Sequence, residues 1–526
     1  MEKNLKLRKE KRKNQKGITL IALVITIVIL IILATVAINA VFKDGGLIDQ
    51  AELAKDLYNN SAKQEEESMS NLEHQLNGLW SGSDTEEPFE PGPTEEPEGG
   101  GTEMTDMTNG IIEIKWLDGT SYNVSNTPNA PVTKTISNGT MELVKFDSSS
   151  KTWKVGTEYS YTAGTGSNDN TQSKWANARV TIDGVDSYFV WIPRYAYRII
   201  YFDSSESKKA YQEGTLTEAD AVAQGKIIGY SDSRGIVDAQ GKKIAGVTST
   251  TKTKVSKNYF MVHPAFINDV DAGGWTNELP GIWVGKYETS SVEGNGNSLT
   301  ADNVTTKTPK VQLGVNSWRY IQIGNMYTVS YNYARELESH LLKNSEWGAV
   351  AYLTESKYGR NGIEIAQNTN SSYYTGGGSG TAYITNVSQS STGNVYGIYD
   401  LSGGAYEYVA GYYKDGILAN GSSFADGVND KYATAYTGTT ASAAYKYGDA
   451  TYETKSWHSD LASFVDSGFP FFKRGGHYNS SSANAGVFCF DSYNRSQQRQ
   501  RLISPCPSSV MCNLSSEQRK KFTTTL

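Results

Sequence analysis

The sequence predicts an α+β protein in which an N-terminal transmembrane helix and stalk precede a disordered acidic linker, a small β-rich module and a larger mixed domain. Three observations support this prediction: an uncharged apolar run at residues 18–42, an acidic stretch with proline at residues 81–109, and strand-like aromatic segments after residue 110. At 526 residues, the chain is long enough for more than one folded unit.

Residues 1–17 form a basic leader that contains eight Lys or Arg and two Glu. The formal net charge of the whole chain is −7, so the chain after the leader is more acidic than this total. Such a chain lacks the basic face that nucleic-acid binding requires, and we expect no nucleic-acid partner.

Residues 18–42 contain no charged residue. As a helix they would extend about 37 Å, which exceeds the roughly 30 Å hydrocarbon core of a bilayer. The basic leader places the N-terminus in the cytoplasm. We therefore expect a single-pass protein of a bacterial cell membrane with an extracellular C-terminal domain. A cleaved secretory signal is the alternative, but its apolar region would be shorter and would end at a small-residue cleavage site.

Residues 43–80 return to helical periodicity, which predicts an amphipathic stalk. Residues 81–109 hold nine Asp or Glu, four Pro and no Lys or Arg. Because this composition cannot bury enough apolar surface to offset the entropy of ordering, we predict a disordered linker.

Residues 110–165 are predicted as a small β-rich module, because apolar and polar residues alternate around Asp118-Gly119, a strong hairpin signal. Residues 174–526 mix aromatic strand segments, such as 188–202 and 281–288, with one helical stretch at about 328–343 and loops rich in Gly, Ser and Asn. This mixture predicts an α+β domain in which loops carry much of the mass.

Lys16-Gly17 and the apolar run that begins at Ile18 resemble the N-terminal signal of type IV prepilins and pseudopilins. The resemblance implies that a prepilin peptidase cleaves between Gly17 and Ile18, that Ile18 becomes N-methylated, and that pilin-like subunits are partners. The fifth mature residue of that family is usually Glu, whereas this chain has Ala22. The missing carboxylate argues against a major filament subunit. A plain signal anchor is the alternative.

Five later segments resemble, in order, the sulfatase-modifying-factor (formylglycine-generating-enzyme-like) family, whose domain is a variant of the C-type lectin fold. They are YFVWIPRYAYRI (188–199), WVGKYETS (283–290), NSEWGAVAYLTESKYG (344–359), NVYGIYDLSGGAYEYVAGYY (394–413) and FKRGGHYNSSSANAGVF (472–488). The resemblance implies a C-type-lectin-like domain over residues 174–526. The bulky residues expected as core anchors are Trp191, Trp283, Trp347, Tyr399 and Tyr406.

The end of the chain departs from that family, whose members close with a strand containing a Gly-Phe-Arg-like element. Residues 497–526 instead carry Pro505 and Pro507, which disfavour a central strand. Either the terminus has been altered, for example by a shifted reading frame, or the last strand is built differently.

Catalytic members of the same family use paired cysteines shortly after the Gly-Gly turn. Those positions fall near Ser480 and Ala485, and neither residue has a thiol. Cys489 lies in the apolar run GVFCF, where a buried, unreactive thiol is favoured over a nucleophile of low pKa. We therefore expect a non-catalytic domain rather than an enzyme of the sulfatase-modifying class, which is the alternative.

Residues 477–496 have a composition of their own, since twelve of the twenty are His, Tyr, Asn, Ser or Asp. The segment resembles the variable region of target proteins of diversity-generating retroelements, which also use lectin-type folds. Tyr and small polar residues make adaptable contacts at modest entropic cost. The predicted ligand-binding residues are His477, Tyr478, Asn479, Ser480, Asn484, Asp491, Tyr493 and Asn494. An ordinary polar loop is the alternative.

Together these features predict a membrane-anchored display protein whose non-catalytic head binds an unknown extracellular protein or glycan. A minor pseudopilin of a type IV pilus-like or secretion system is the alternative. The five His are scattered without metal-ligand spacing, so no zinc site is assigned. We expect no cofactor, although the Asp- and Asn-rich loops could hold calcium.

Overall fold

The computed structural model describes residues 107–232, 235–239, 241, 260–414, 430–481 and 484–492, together with short strands at 505–506 and 510–511. The predicted leader, transmembrane helix and stalk, and nearly all of the predicted linker, lie outside the described residues. Within the described ranges, no helix has the length and apolar character needed to cross a bilayer. The described architecture is mixed α+β, with mostly antiparallel sheets and few helices.

The strands and helices are numbered in chain order. The strands are β1 (Gly110–Leu117), β2 (Val124–Ser125), β3 (Gly139–Asp147), β4 (Thr152–Val155), β5 (Asn177–Ile182), β6 (Val185–Pro193), β7 (Tyr195–Phe202), β8 (Ile227–Asp232), β9 (Gly235–Val237), β10 (Met261–Val262), β11 (Gly281–Gly285), β12 (Ser290–Ser291), β13 (Pro309–Lys310), β14 (His340–Leu341), β15 (Tyr406–Tyr413), β16 (Thr434–Tyr436), β17 (Phe471–Gly475), β18 (Gly486–Asp491), β19 (Pro505–Cys506) and β20 (Val510–Met511). The α-helices are α1 (Ser205–Gln212), α2 (Glu218–Ala223), α3 (Leu299–Asp302), α4 (Ile323–Tyr333), α5 (Asn344–Glu355) and α6 (Ala441–Ala444).

The first sheet has the order β2-β1-β7-β8-β9, with β10 also paired to β7. Its β1–β2 hairpin confirms the turn predicted around Asp118-Gly119, with Trp116 opposite Ser125 and Leu117 opposite Val124. The hairpin is favoured locally because Gly119 adopts a φ of +52°, a conformation that glycine reaches without steric cost.

The second sheet has the order β11-β6-β5-β3-β4, and the aromatic run 188–202 connects it to the first sheet. This run supplies most of β6 to the second sheet and all of β7 to the first, with the chain changing sheet at Arg194. The Arg194 side chain is fully buried there, and its Nη1 lies 2.6 Å from the Glu278 carboxylate and 2.7 Å from the Phe266 carbonyl oxygen. A buried guanidinium is tolerated at this corner because it has charged and hydrogen-bonding partners.

Residues 110–165, which we predicted as a module of their own, contribute strands to both of these sheets. β1 pairs with β7 from Gly110 to Trp116, and β3 pairs with β5. The boundary predicted near residue 165 therefore does not separate two sets of strands. Local alternation identifies a strand but not its partner, since partners distant in sequence are selected by burial of the sheet faces.

The third sheet positions the predicted ligand-binding segment. Its order is β16-β15-β17-β18, and β19 pairs in parallel with the start of β15. β16 and β19 both lie on the side of β15 opposite β17, which makes β19 an edge strand. An edge is where a strand can accommodate proline, so Pro505 is compatible with this pairing.

The helices differ from the one predicted at about 328–343. α4 ends at Tyr333, and the chain then forms a 3₁₀ turn at Arg335–Leu337 and the strand β14. The helix ends there because Ala334 has a φ of −151°, and its amide donates to the Ser339 hydroxyl oxygen at 2.8 Å instead. α5 follows, and every residue in it is buried. A helix that is buried all round lies in the core rather than on the surface.

One large aromatic core holds these elements together. Trp191, Trp283, Trp347 and Tyr399 are at most 1% exposed, so four of the five predicted core anchors are confirmed. Tyr406, the fifth, is instead half-buried at the start of β15.

Candidate ligand-binding surface

The predicted ligand-binding segment lies between β17 and β18. β17 ends at Gly475, the chain turns over the following residues, and β18 begins at Gly486 opposite Gly475. A second turn at residues 403–404 packs against it, because the Tyr478 amide donates to the Gly404 carbonyl oxygen at 2.8 Å. Two neighbouring loop turns thus support the segment on the edge of the third sheet.

Both turns require glycine. Gly404 and Gly476 have φ angles of +69° and +72°, which residues with a Cβ rarely adopt. A Cβ on Gly404 would lie 2.4 Å from the Glu288 carboxylate, and a Cβ on Gly476 would lie 2.2 Å from the Asn484 carbonyl oxygen. Any other residue at either position would displace the turn.

Hydrogen bonds fix the backbone of residues 477–480. The His477 amide donates to the Ser480 hydroxyl oxygen at 3.0 Å, and the Ser480 amide donates to the His477 carbonyl oxygen at 2.9 Å. The Gln367 side-chain amide also donates to the carbonyl oxygens of His477 and Ser480, at 2.8 and 3.1 Å. Ser480 therefore shapes the turn, while the His477 and Tyr478 side chains extend from a fixed backbone.

Four half-buried rings form a continuous row on this surface, which we call the aromatic row: Tyr373, Tyr478, His477 and Tyr406. Neighbouring ring centroids are 4.9 Å apart for Tyr373 and Tyr478, 5.7 Å for Tyr478 and His477, and 4.9 Å for His477 and Tyr406. All three pairs are tilted or edge-to-face, which are favourable arrangements for aromatic rings. The row joins two residues of the predicted segment to two tyrosines far from it in sequence.

A cation lies over each end of the aromatic row. The Arg319 guanidinium is centred 4.0 Å from the Tyr373 ring, and the Lys473 ammonium lies 4.3 Å from the Tyr406 ring. Cation–π contacts of this kind restrict the rings without covering them completely. The surface therefore combines aromatic faces, phenol hydroxyls and the guanidinium of the half-buried Arg319 in a small area.

Burial shifts the pKa of two rings of the row in opposite directions. Burial, and then the nearby Lys473, lowers the pKa of His477. The Asn479 amide donates to His477 Nδ1 at 3.2 Å, which leaves the proton of the neutral ring on Nε2. Burial raises the pKa of Tyr406 to about 12, with a further contribution from Asp491. Both side chains can therefore act as neutral hydrogen-bond donors.

The remaining predicted residues fall into three groups. Asn479, which follows Tyr478 in the chain, and Asn484 are exposed. Asp491 is only 6% exposed, and its carboxylate lies 2.9 Å from the Lys473 ammonium inside the sheet, so it is not on the ligand-facing surface. Tyr493 and Asn494 lie outside the described residues.

Cys489 lies buried in β18. Burial raises the pKa of its thiol to about 12, with smaller contributions from Asp460 and Asp491. A thiol with such a pKa is protonated at neutral pH and is a poor nucleophile. Ala485, near the second position expected for a catalytic cysteine, lines a cavity of about 290 Å³ together with Gln367.

Two buried carboxylates, those of Glu288 and Asp400, accept hydrogen bonds next to the turn at residues 403–404. Glu288 accepts from the Ala405 amide at 2.8 Å and from the Ser317 hydroxyl, and burial raises its pKa well above the ordinary value. Asp400 accepts from Asn368 at 2.9 Å, and burial raises its pKa to about 6. In the part of the chain that is described, no group of three or more His, Cys, Asp or Glu side chains is arranged to hold a metal ion.

Sequence reasoning missed three members of this surface, one of which, Tyr406, was predicted as a core anchor. Tyr373 lies in a Gly-, Ser- and Asn-rich loop, and Arg319 precedes Tyr320 in another irregular segment. Tyr373-Tyr374 within a polar loop was the available signal, because bulky aromatic residues in such loops are often contact residues.

The chain matches a known family model near its N-terminus. The family model of the prokaryotic N-terminal methylation motif matches residues 12–38, which include Gly17 and Ile18. No curated protein matches the chain. The motif supports a type IV prepilin-like signal, and it indicates a membrane-anchored or surface-exposed, pilin-like protein that is processed by a prepilin peptidase and associates with pilin-like subunits.

Proposed function

We propose that this chain is a membrane-anchored surface-binding protein whose non-catalytic head, of C-type-lectin-like fold, engages an extracellular partner through the aromatic row. The observation that carries the proposal is the alignment of Tyr373, Tyr478, His477 and Tyr406 on backbone turns that are fixed by hydrogen bonds. Aromatic side chains supply large contact areas with few rotatable bonds, and such residues dominate binding energy in protein interfaces.

The proposed partner is an extracellular protein. Tyr, His, Asn and Ser together form hydrogen bonds and apolar contacts without a net charge, as antibody binding sites do. The exposed Asn479 and Asn484 add adaptable polar groups. A glycan is the competing partner, since sugars also stack on aromatic rings. Binding through rings and neutral donors requires no cofactor and no calcium ion.

The surface is further proposed to be diversified between copies of the gene. Substitution among His, Tyr, Asn, Ser and Asp at residues 477–484 would change the contacts while leaving intact the glycine turns and the backbone bonds from Gln367. The bonds from Gln367 reach backbone carbonyl oxygens, which any residue at positions 477 and 480 supplies, whereas the Ser480 hydroxyl accepts from the His477 amide and is the side chain whose replacement would alter the turn.

The test uses the full chain in detergent micelles, probed against immobilised extracellular proteins and a glycan array. Tyr373→Ala should weaken binding to any ligand found by at least about thirtyfold, the loss of an interface hot spot. Val155→Ala, at an exposed apolar residue outside the row, is the control. Binding that is unaffected by Tyr373→Ala would refute the proposed surface. A ligand found only on the glycan array would refute the choice of a protein partner.

A second candidate is a minor subunit of a pilus-like assembly. The match to the N-terminal methylation motif favours it, because that motif directs chains to prepilin processing. Ala22 at the fifth mature position argues against a major subunit but not against a minor one. Co-purification of the full chain with sheared surface filaments would support this role, and its retention in the membrane fraction would oppose it.

A further inference from the structure

A second site is formed by a cavity of about 370 Å³ alongside β1. None of the residues that line it belongs to the aromatic row. Its volume falls within the range of about 300–1,000 Å³ that is typical of small-molecule sites. β1, the end of α1 and the loop around residues 357–362 form its walls.

Three lysines line this cavity: Lys115, Lys208 and Lys357. Among the described residues, neither Lys115 nor Lys357 is paired with a carboxylate; Lys115 lies 4.1 Å from the Phe260 ring and Lys357 lies 5.3 Å from the Tyr358 ring. Lys208 lies 3.9 Å from the Glu355 carboxylate. Two of the three ammonium groups are thus available to a ligand.

The two carboxylates in the lining already have closer partners. Glu113 accepts from Arg198 Nε at 2.7 Å and from the Tyr211 hydroxyl at 2.9 Å. Glu355 pairs with His458 Nε2 at 3.0 Å. Arg198 is shared, since its Nη1 and Nη2 also donate to the Glu218 carboxylate at 3.0 and 2.7 Å. The three lysines, Arg198 and His458 still outnumber the carboxylates Glu113, Glu218 and Glu355, so the cavity has an excess of positive charge.

The rest of the lining suits an organic ligand with hydroxyl groups. Phe260 and Ile111 supply apolar surface, and the Gln212 side-chain amide makes no hydrogen bond with another described residue. Gly166 and Gly362 leave backbone exposed beside it, since neither carries a side chain. Ammonium groups, a free amide and apolar surface together match a small sugar that carries a carboxylate.

We infer that this cavity binds a small acidic sugar, with its carboxylate between Lys115 and Lys357 and its hydroxyl groups near Gln212. The site is independent of the aromatic row, so either could fail without the other. Given the extracellular head proposed above, this site would give the protein a second means of attachment, to acidic sugars outside the cell.

Calorimetric titration of the full chain in detergent with D-glucuronate tests the inference, with D-glucose and inorganic phosphate as comparison ligands. We expect D-glucuronate to bind more tightly than both. Replacing Lys115 and Lys357 together by Gln should weaken D-glucuronate binding at least about tenfold, because charge-assisted hydrogen bonds would be lost. Lys357→Gln alone changes an exposed residue and should weaken binding without affecting the fold.

Lys209→Gln is the matched control, because Lys209 lies on the same helix as Lys208 but is 63% exposed and outside the cavity. Absence of D-glucuronate binding would overturn the inference. Equal binding of D-glucose, or of phosphate, would overturn the choice of an acidic sugar. Unchanged D-glucuronate affinity in Lys357→Gln and in the double variant would place the ligand elsewhere.

Discussion

The imidazole ring of His477 packs against the phenol ring of Tyr406, with 4.9 Å between the ring centroids. The contact connects a segment with an unusual composition to the first residue of a central strand, β15. His477 therefore packs against a strand while its ring stays half-exposed, which is the arrangement expected of a contact residue.

The pair formed by His458 and Glu355 should make stability depend on pH. Burial alone would lower the pKa of His458, but the adjacent Glu355 carboxylate more than offsets this and raises it from 6.5 to about 9. A raised folded-state pKa contributes stability that is fully present below about pH 6.5 and is lost as the pH rises through about 9. His458→Gln should therefore cost about 2–3 kcal/mol more at pH 6 than at pH 10, measured by urea unfolding. An equal cost at both pH values would contradict this assignment.

The Lys473–Asp491 pair should be a structural feature of the third sheet. Lys473→Met leaves a buried carboxylate without its closest cation and should lower the free energy of unfolding by about 3–5 kcal/mol. The double variant Lys473→Met/Asp491→Leu should recover most of that loss, because no unpaired charge remains. Denaturant titrations of the single and double variants provide the comparison, and a single variant as stable as the parent would show that the pair contributes little.

Prepilin processing predicts the N-terminus of the mature chain. Intact-mass spectrometry of the protein isolated from membranes of its own host should find a chain that begins at Ile18, with a methyl group on its amine. Replacement of Gly17 by a bulky residue should leave the basic leader attached. A mature chain that begins at Met1 or Glu2 would rule out this processing.

Diversification predicts a pattern in the gene. Sequencing codons 470–526 and the neighbouring DNA in a population of the source strain should find substitutions clustered at His, Tyr, Asn, Ser and Asp codons, with a near-identical template nearby. Codons for Gly475 and Gly476 should not vary, because both residues have positive φ angles in the turn. An invariant segment without a template would leave a fixed surface, and the same reads would reveal whether residues 497–526 arise from a shifted frame.

Local features of the fold could be predicted from the sequence, and pairings between distant segments could not. The β1–β2 hairpin was predictable because alternation and an Asp-Gly turn act over a few residues. The pairing of β1 with β7 brings Trp116 opposite Tyr195, and nothing near either residue specifies that register. The helix predicted at about 328–343 failed for a related reason, since a single backbone change at Ala334 ended α4 early.

The candidate surface was predictable in part. Composition identified His477, Tyr478 and Asn479, but it could not distinguish Asp491, which the register of β18 places opposite Lys473. Tyr373 and Arg319 were missed because only tertiary packing brings them next to Tyr478. Burial and long-range contacts, rather than residue type, decide which polar residues face a ligand.

The most direct measurement compares binding and stability in two variants of the full chain, His477→Ala/Tyr478→Ala and Asp491→Asn. If the aromatic row is the binding surface, the first variant loses ligand binding at least about thirtyfold while its free energy of unfolding changes by roughly 1 kcal/mol. The second variant should keep its affinity and lose about 3 kcal/mol of stability, because Lys473 remains buried without its carboxylate. A first variant that binds normally, or one that is destabilised as strongly as the second, would contradict the account.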